Sequence, residues 1–116
     1  MRREISWSEE AFAELEDARE RAEAHNPTRG YRLIEAVDAI ISSLATFPLQ
    51  GSLVETALPI EIRRTHLRAF GLLLYYTVYP SVDLQTSEVL DVIYFLACRH
   101  ERQGEPLWSA RDPFRL

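Results

Sequence analysis

The hydrophobic period of this 116-residue chain changes once, near residue 47. Before that point apolar side chains recur at helical spacing: Phe12, Leu15, Ala18 and Ala22, then Leu33, Val37, Ile40 and Leu44, with Ile34 and Ile41 widening the second stripe. Steps of three and four residues place such side chains on one helix face. After it, Ile60 and Ile62 alternate with Glu61 and Arg63, as on a half-buried strand. Residues 70–79 (FGLLLYYTVY) and 88–97 (EVLDVIYFLA) are almost wholly apolar, aromatic or β-branched. That composition suits strands buried on both faces. A helical half followed by a strand half indicates an α+β fold.

The punctuation divides the halves into elements. Residues 3–7 (REISW) read as a short strand with Ile5 and Trp7 on one face. A helix over about 8–24 starts at Ser6 or Ser8; Ser6 and Glu9 have the spacing of a capping box, and Glu9 and Glu10 suit the positive end of the helix dipole. Asn26-Pro27 breaks this helix and caps a second one over 27–46, which Phe47-Pro48 ends. The two form a helical hairpin. Residues 48–59, with two prolines and a glycine, read as a loop, and 60–67, 70–79 and 88–97 as an antiparallel meander. The expected order is β-α-α-β-β-β, a helical hairpin on a small twisted antiparallel sheet. The chain reads as a single domain over 1–116, with a core at about 4–100 and a polar tail at 101–116.

Composition removes several function classes. Thirteen arginines, no lysine and eighteen acidic residues give a net charge of −5, which argues against coating nucleic acid by bulk charge. All the fixed positive charge sits on guanidinium groups, which fork onto phosphates and carboxylates. The one cysteine, Cys98, permits no intrachain disulfide and no multi-cysteine metal site. It reads as a buried strand-end residue. The charged opening Met1-Arg2-Arg3-Glu4 and the lack of a long apolar run give no leader and no membrane span, so a cytoplasmic location is expected, with no metal and no cofactor.

Two groups of residues can carry chemistry. Arg63, Arg64, His66 and Arg68 lie on the first strand of the meander; 64, 66 and 68 would share a face, with 63 on the other. They form a cationic patch, or a clamp on a scissile phosphodiester, or a solvated strand face. Arg99, His100 and Arg102 follow the last strand, whose end comes back beside Arg68 in a meander. Metal-free RNA cleavage needs a base, an acid and positive charge on the phosphate, which Arg64, His66, Arg68, His100 and Arg102 can supply. Arg63, Arg68, Arg99 and Arg102 are also candidate partner contacts. Trp108, in the polar tail, reads as either a docking anchor or a packed residue. The acidic face of the first helix (Glu9, Glu10, Glu14, Glu16, Asp17, Glu20, Glu23) reads as solvated, or as a face that repels nucleic acid or attracts a basic partner segment.

Residues 5–11 (ISWSEEA), Ile62-Arg63-Arg64, residues 70–78 and Val89–Leu96 together resemble the RelE/ParE superfamily of small toxins from type II toxin–antitoxin systems. His100-x-Arg102, with Trp108 eight residues beyond the histidine, is similar to the ending of many ParE-like members. Glu101 stands where that ending has Gly, and Gln103 where a second Arg is frequent. The resemblance spans about residues 4–108. It implies a toxin masked by a cognate antitoxin in a hetero-oligomer, and makes a basic antitoxin segment the partner that the acidic helix face would attract. The acidic balance, the missing lysine and the ending favour the ParE-like branch, inhibitors of DNA gyrase rather than enzymes. The alternatives are a RelE-like endonuclease acting on mRNA at the ribosome, or an inactive homologue that only binds antitoxin.

Overall fold

The computed structural model describes residues 3–114; Met1 and Arg2 of the expected leaderless start, and the last two residues of the tail, lie outside them. The elements are β1 (Arg3–Trp7), α1 (Glu9–His25), α2 (Pro27–Thr46), β2 (Ser52–Val54), β3 (Ile62–Leu67), a 3-10 turn at Arg68–Phe70, β4 (Leu72–Val82), β5 (Val89–His100) and a second 3-10 turn at Trp108–Ala110. The α+β class and the order of helices and long strands match the sequence reading. The cap of α1 is Ser8 rather than Ser6: its side chain accepts the Ala11 N–H at 3.0 Å. Asn26 is extended and accepts the Thr28 N–H at 3.0 Å, with Pro27 opening α2. Among the described residues no helix is long and apolar enough to cross a membrane.

The sheet has five strands in the order β1-β5-β4-β3-β2. It is mixed rather than wholly antiparallel, because β1 runs parallel to β5 in register Arg3 with Asp91 to Trp7 with Phe95. The added strand β2 lies in the segment read as a loop and pairs with β3 over three residues. Strand β4 runs past Pro80 to Val82. Its register with β3 ends at Tyr76, so Pro80 faces only β5 and no ladder bond is lost on the other side. Arg68 lies in the 3-10 turn, not on the strand; Gly71, at φ +62°, closes that turn in the left-handed region.

Both helices pack on one sheet face. Leu15, Leu33, Val37 and Leu44 meet Leu72, Leu74, Tyr76, Ile93 and Phe95 there. A register shift between Tyr75 and Tyr76 leaves Leu96 as an extra residue on β5. Tyr76 shares the helix-side core with Leu72 and Leu74 by alternation, while the extra residue puts both Leu96 and Ala97, with Tyr75, into a second core on the opposite face. That second core is closed by Ile62, Leu58, Ile60 and Trp108. The sheet face opposite the helices is therefore partly covered by the 54–60 segment and the tail. Tyr76 also holds the loop before β2: its hydroxyl donates to the Pro48 carbonyl at 2.8 Å and accepts the Gly51 N–H at 3.0 Å.

Among the described residues the outer edge of β5 has no strand partner beyond Phe95, and side chains satisfy it instead. Glu14 of α1 accepts the Cys98 N–H at 3.2 Å, and Arg111 of the tail donates to the Leu96 carbonyl at 3.1 Å. The two also pair with each other at 2.6 Å, and Arg99 joins Glu14 at 3.0 Å. One carboxylate therefore ties helix, sheet edge and tail together.

Candidate functional site

Alternation along β3 decides what each cationic residue does. Leu67 enters the helix-side core and Ile62 the second core. Arg63 and Thr65 accordingly share the helix side, and Arg64 and His66 the second face. Arg63 is structural in its contacts. Its Nη1 donates to the carbonyls of Leu49 (3.0 Å) and Gly51 (2.8 Å), and its Nη2 meets Glu61 at 3.0 Å. It fastens the loop before β2 onto the sheet.

On the second face a groove runs between β2, β3 and the 3-10 turn, lined by Gln50, Ser52, Arg64, His66, Arg68 and Leu73 among others. Arg64, His66 and Arg68 are all exposed. His66 Nε2 lies 3.0 Å from Glu101 Oε2. This contact exists because the ends of β4 and β5 meet, where the Glu101 N–H donates to the Gly71 carbonyl at 2.9 Å. A carboxylate thus orients the imidazole, with guanidinium groups on the same groove. The arrangement can hold an anion, and the ring can exchange a proton with it. Among the described residues, the Arg64 and Arg68 side chains have no hydrogen-bond or ion-pair partner.

The second candidate group divides. Arg99 is committed to Glu14 and to the Gly104 carbonyl, at 3.0 and 3.2 Å. His100 pairs across the sheet with Leu72, while Arg99 pairs with Leu73 and hence with the row of His66. His66 and His100 therefore sit on opposite faces. His100 Nδ1 accepts the Arg102 N–H at 3.2 Å, and the Arg102 side chain is exposed. Trp108 is 7% exposed and packs against Tyr75 with ring centroids 5.1 Å apart, its indole N–H bonded to Glu105 at 3.1 Å. Its indole face belongs to the second core and offers no free docking surface.

Sequence reasoning missed two carboxylates. Glu101 was visible only as a substitution in a familiar ending, and its partner lies 35 positions away. Glu14 reads from sequence as part of a solvated face, since nothing local to it distinguishes it from Glu10 or Asp17. Burial pushes the Glu14 carboxyl up. The hydrogen bonds from Arg111, Arg99 and the Cys98 N–H outweigh that and hold it below the ordinary 4.5. The same burial, with the Glu14 charge, pushes the Cys98 thiol up to about 12. A thiol kept protonated is a poor nucleophile. Iodoacetamide at pH 8 is expected to leave the native protein unlabelled and to label Cys98 fully once urea unfolds it, as read by intact mass. Among the described residues no group of three or more His, Cys, Asp or Glu is placed to hold a metal ion.

No curated protein matches the chain. The family model for the ParE toxin of type II toxin–antitoxin systems, parDE, matches residues 5–103, from within β1 to the turn after β5 and including the groove and the His66–Glu101 pair. With that match covering most of its length, the chain belongs to the ParE toxin family of type II toxin–antitoxin systems.

Proposed function

We propose that this toxin inhibits DNA gyrase as a binding inhibitor, that it works in the cytoplasm, and that a cognate antitoxin neutralises it in a hetero-oligomer. The family match over residues 5–103 carries the reading. The geometry supports it in two ways. Exposed guanidinium groups at Arg64 and Arg68 are available to phosphates or carboxylates of a partner. The two candidate acid–base histidines, on opposite sheet faces, do not converge on one reacting phosphate.

One observation favours a second reading, cleavage of mRNA at the ribosome. The Glu101-oriented His66 lies on the same groove as Arg64 and Arg68, an arrangement that can deprotonate a 2′-hydroxyl beside a clamped phosphate. Inducing the chain without antitoxin and following thymidine and methionine incorporation separates the readings. Early loss of thymidine incorporation, with translation intact, is expected, together with loss of supercoiling by purified gyrase. Early loss of methionine incorporation would replace the gyrase reading with the nuclease one. His66→Gln should leave gyrase inhibition unchanged and would abolish RNA cleavage. Arg64→Glu with Arg68→Glu is expected to weaken inhibition about 100-fold or more, from two charged contacts at about 1.5 kcal/mol each. Unchanged toxicity would remove both arginines from the site.

A further inference from the structure

A cleft of about 260 Å³ opens on the helix side, at the end of the hairpin where α1 turns into α2. Its floor is apolar: Ala18, Ala22, Leu33 and Leu72 are buried there, and Phe70 joins them from the 3-10 turn. Its rim is basic: Arg21, paired with Asp17, and His25 come from α1, Arg29 from α2 and His100 from β5, so Arg29 supplies the fixed positive charge that no carboxylate among the described residues offsets. The α1 members recur at steps of three and four, so one helix face supplies both floor and rim. No carboxylate lines the cleft among the described residues. The neighbouring Asp17 and Glu101 are each engaged, with Arg21 at 2.6 Å and His66 at 3.0 Å.

The rim is set in place before any ligand arrives. The Arg29 guanidinium lies 4.8 Å above the Phe70 ring and donates one N–H to the Ala69 carbonyl at 3.1 Å. A guanidinium has five N–H donors, so others remain for a ligand. His100 Nδ1 accepts a backbone N–H, which makes Nε2 the protonated nitrogen of the neutral ring. Concentrating basic groups around an apolar pocket in a chain of net charge −5 is a local contrast that steers an acidic segment to this spot. The volume is below the roughly 300–1,000 Å³ of small-molecule sites and suits one or two side chains.

From this complementarity we infer that the cleft is the receptor for one acidic residue of the antitoxin and the apolar residue beside it. The apolar side chain rests on Phe70 and Leu33, and the carboxylate of the acidic residue bridges Arg29 and His100. This rests on the toxin–antitoxin reading and names the chemistry of that contact. It is separate from the Arg64–His66–Arg68 groove, which lies on the other sheet face.

The test uses the full chain and two probes. The first is 3-phenylpropanoate, a carboxylate on an aromatic stem, titrated while the histidine ring and arginine side-chain NMR signals are followed. Saturable shifts of His25, His100 and Arg29 are expected, with the two histidine shifts vanishing in Arg29→Ala; no shift, or the same histidine shifts in Arg29→Ala, would overturn the inference. The second probe is the cognate antitoxin, co-expressed with the chain. Its affinity is expected to fall tenfold or more for Arg29→Glu and about as much for His100→Gln, and an antitoxin carrying Lys at its acidic contact should bind Arg29→Glu better than wild type. Unchanged affinity in both variants would refute the cleft while leaving the toxin–antitoxin pairing intact. Failure of wild type to bind any antitoxin would overturn both. Arg29 and His25 are exposed, so native helix content and an unchanged unfolding midpoint in Arg29→Ala separate lost binding from lost fold.

Discussion

Replacing Trp108 with alanine is expected to destabilise the protein by about 3 kcal/mol, near the lower end of the range for truncating a core aromatic. The indole is 7% exposed and completes the second core with Tyr75, Leu96, Ala97 and Ile62. Its loss leaves a void that the short 3-10 turn at Trp108–Ala110 cannot collapse to fill, and it frees Glu105 from the indole N–H. The cost sits at the low end because the tail can peel away from the sheet without unfolding the helix-side core. Urea denaturation followed by circular dichroism reads the effect as a lower midpoint at similar slope. Trp108→Phe should recover about half of the loss by refilling the site without the hydrogen bond. A change under about 1 kcal/mol for Trp108→Ala would mean that the tail is not packed on the sheet in solution. Because the indole is already buried, any fall in partner binding by this variant should scale with its loss of stability.

The contrast between Trp108 and the helices shows where sequence patterns inform and where they do not. The second helix was readable end to end, over 27–46, because Asn26, Pro27 and Phe47-Pro48 are local signals acting on their own neighbours. The long strands were readable as runs but not at their limits. Pro80 reads as a stop, and only the absence of β3 beside it lets β4 continue to Val82. Strand β2 has three residues within a Pro- and Gly-bearing segment, too few to show a period. The parallel pairing of β1 joins residues nearly ninety positions apart, which alternation cannot reveal. The site follows the same rule. Alternation assigns Arg64 and His66 to one face and Arg63 to the other. What each then meets depends on contacts distant in sequence: Glu101 for His66, the loop carbonyls for Arg63, and Glu14 for Arg99.

Glu14→Ala is expected to cost about 2–3 kcal/mol at pH 7. Removing one partner of a fully buried ion pair costs about 3–5 kcal/mol; the Glu14 side chain is 20% exposed, so solvent screening lowers that figure. The variant leaves the guanidinium groups of Arg99 and Arg111 with only the Gly104 and Leu96 carbonyls and no balancing carboxylate, and leaves the Cys98 N–H without its acceptor on the free edge of β5. The pH dependence has a definite sign. The Glu14 carboxyl titrates below 4.5 in the folded chain, so the folded state favours its ionised form. Its contribution is complete above the unfolded value and is lost as pH falls through the lower folded value. Wild type and Glu14→Gln should therefore differ most at neutral pH and converge as pH falls through the lowered folded value, as read by thermal unfolding from neutral to acid pH. A constant difference at every pH would assign the loss to packing instead of charge. The two large predictions also interlock, since Glu14 holds Arg111 only three residues beyond Trp108. Either substitution releases the same tail, so the double variant should lose about 1 kcal/mol or more less than the sum of the single losses. Strict additivity would show the indole and the carboxylate anchoring independent units, and the tail would then be two contacts instead of one strap.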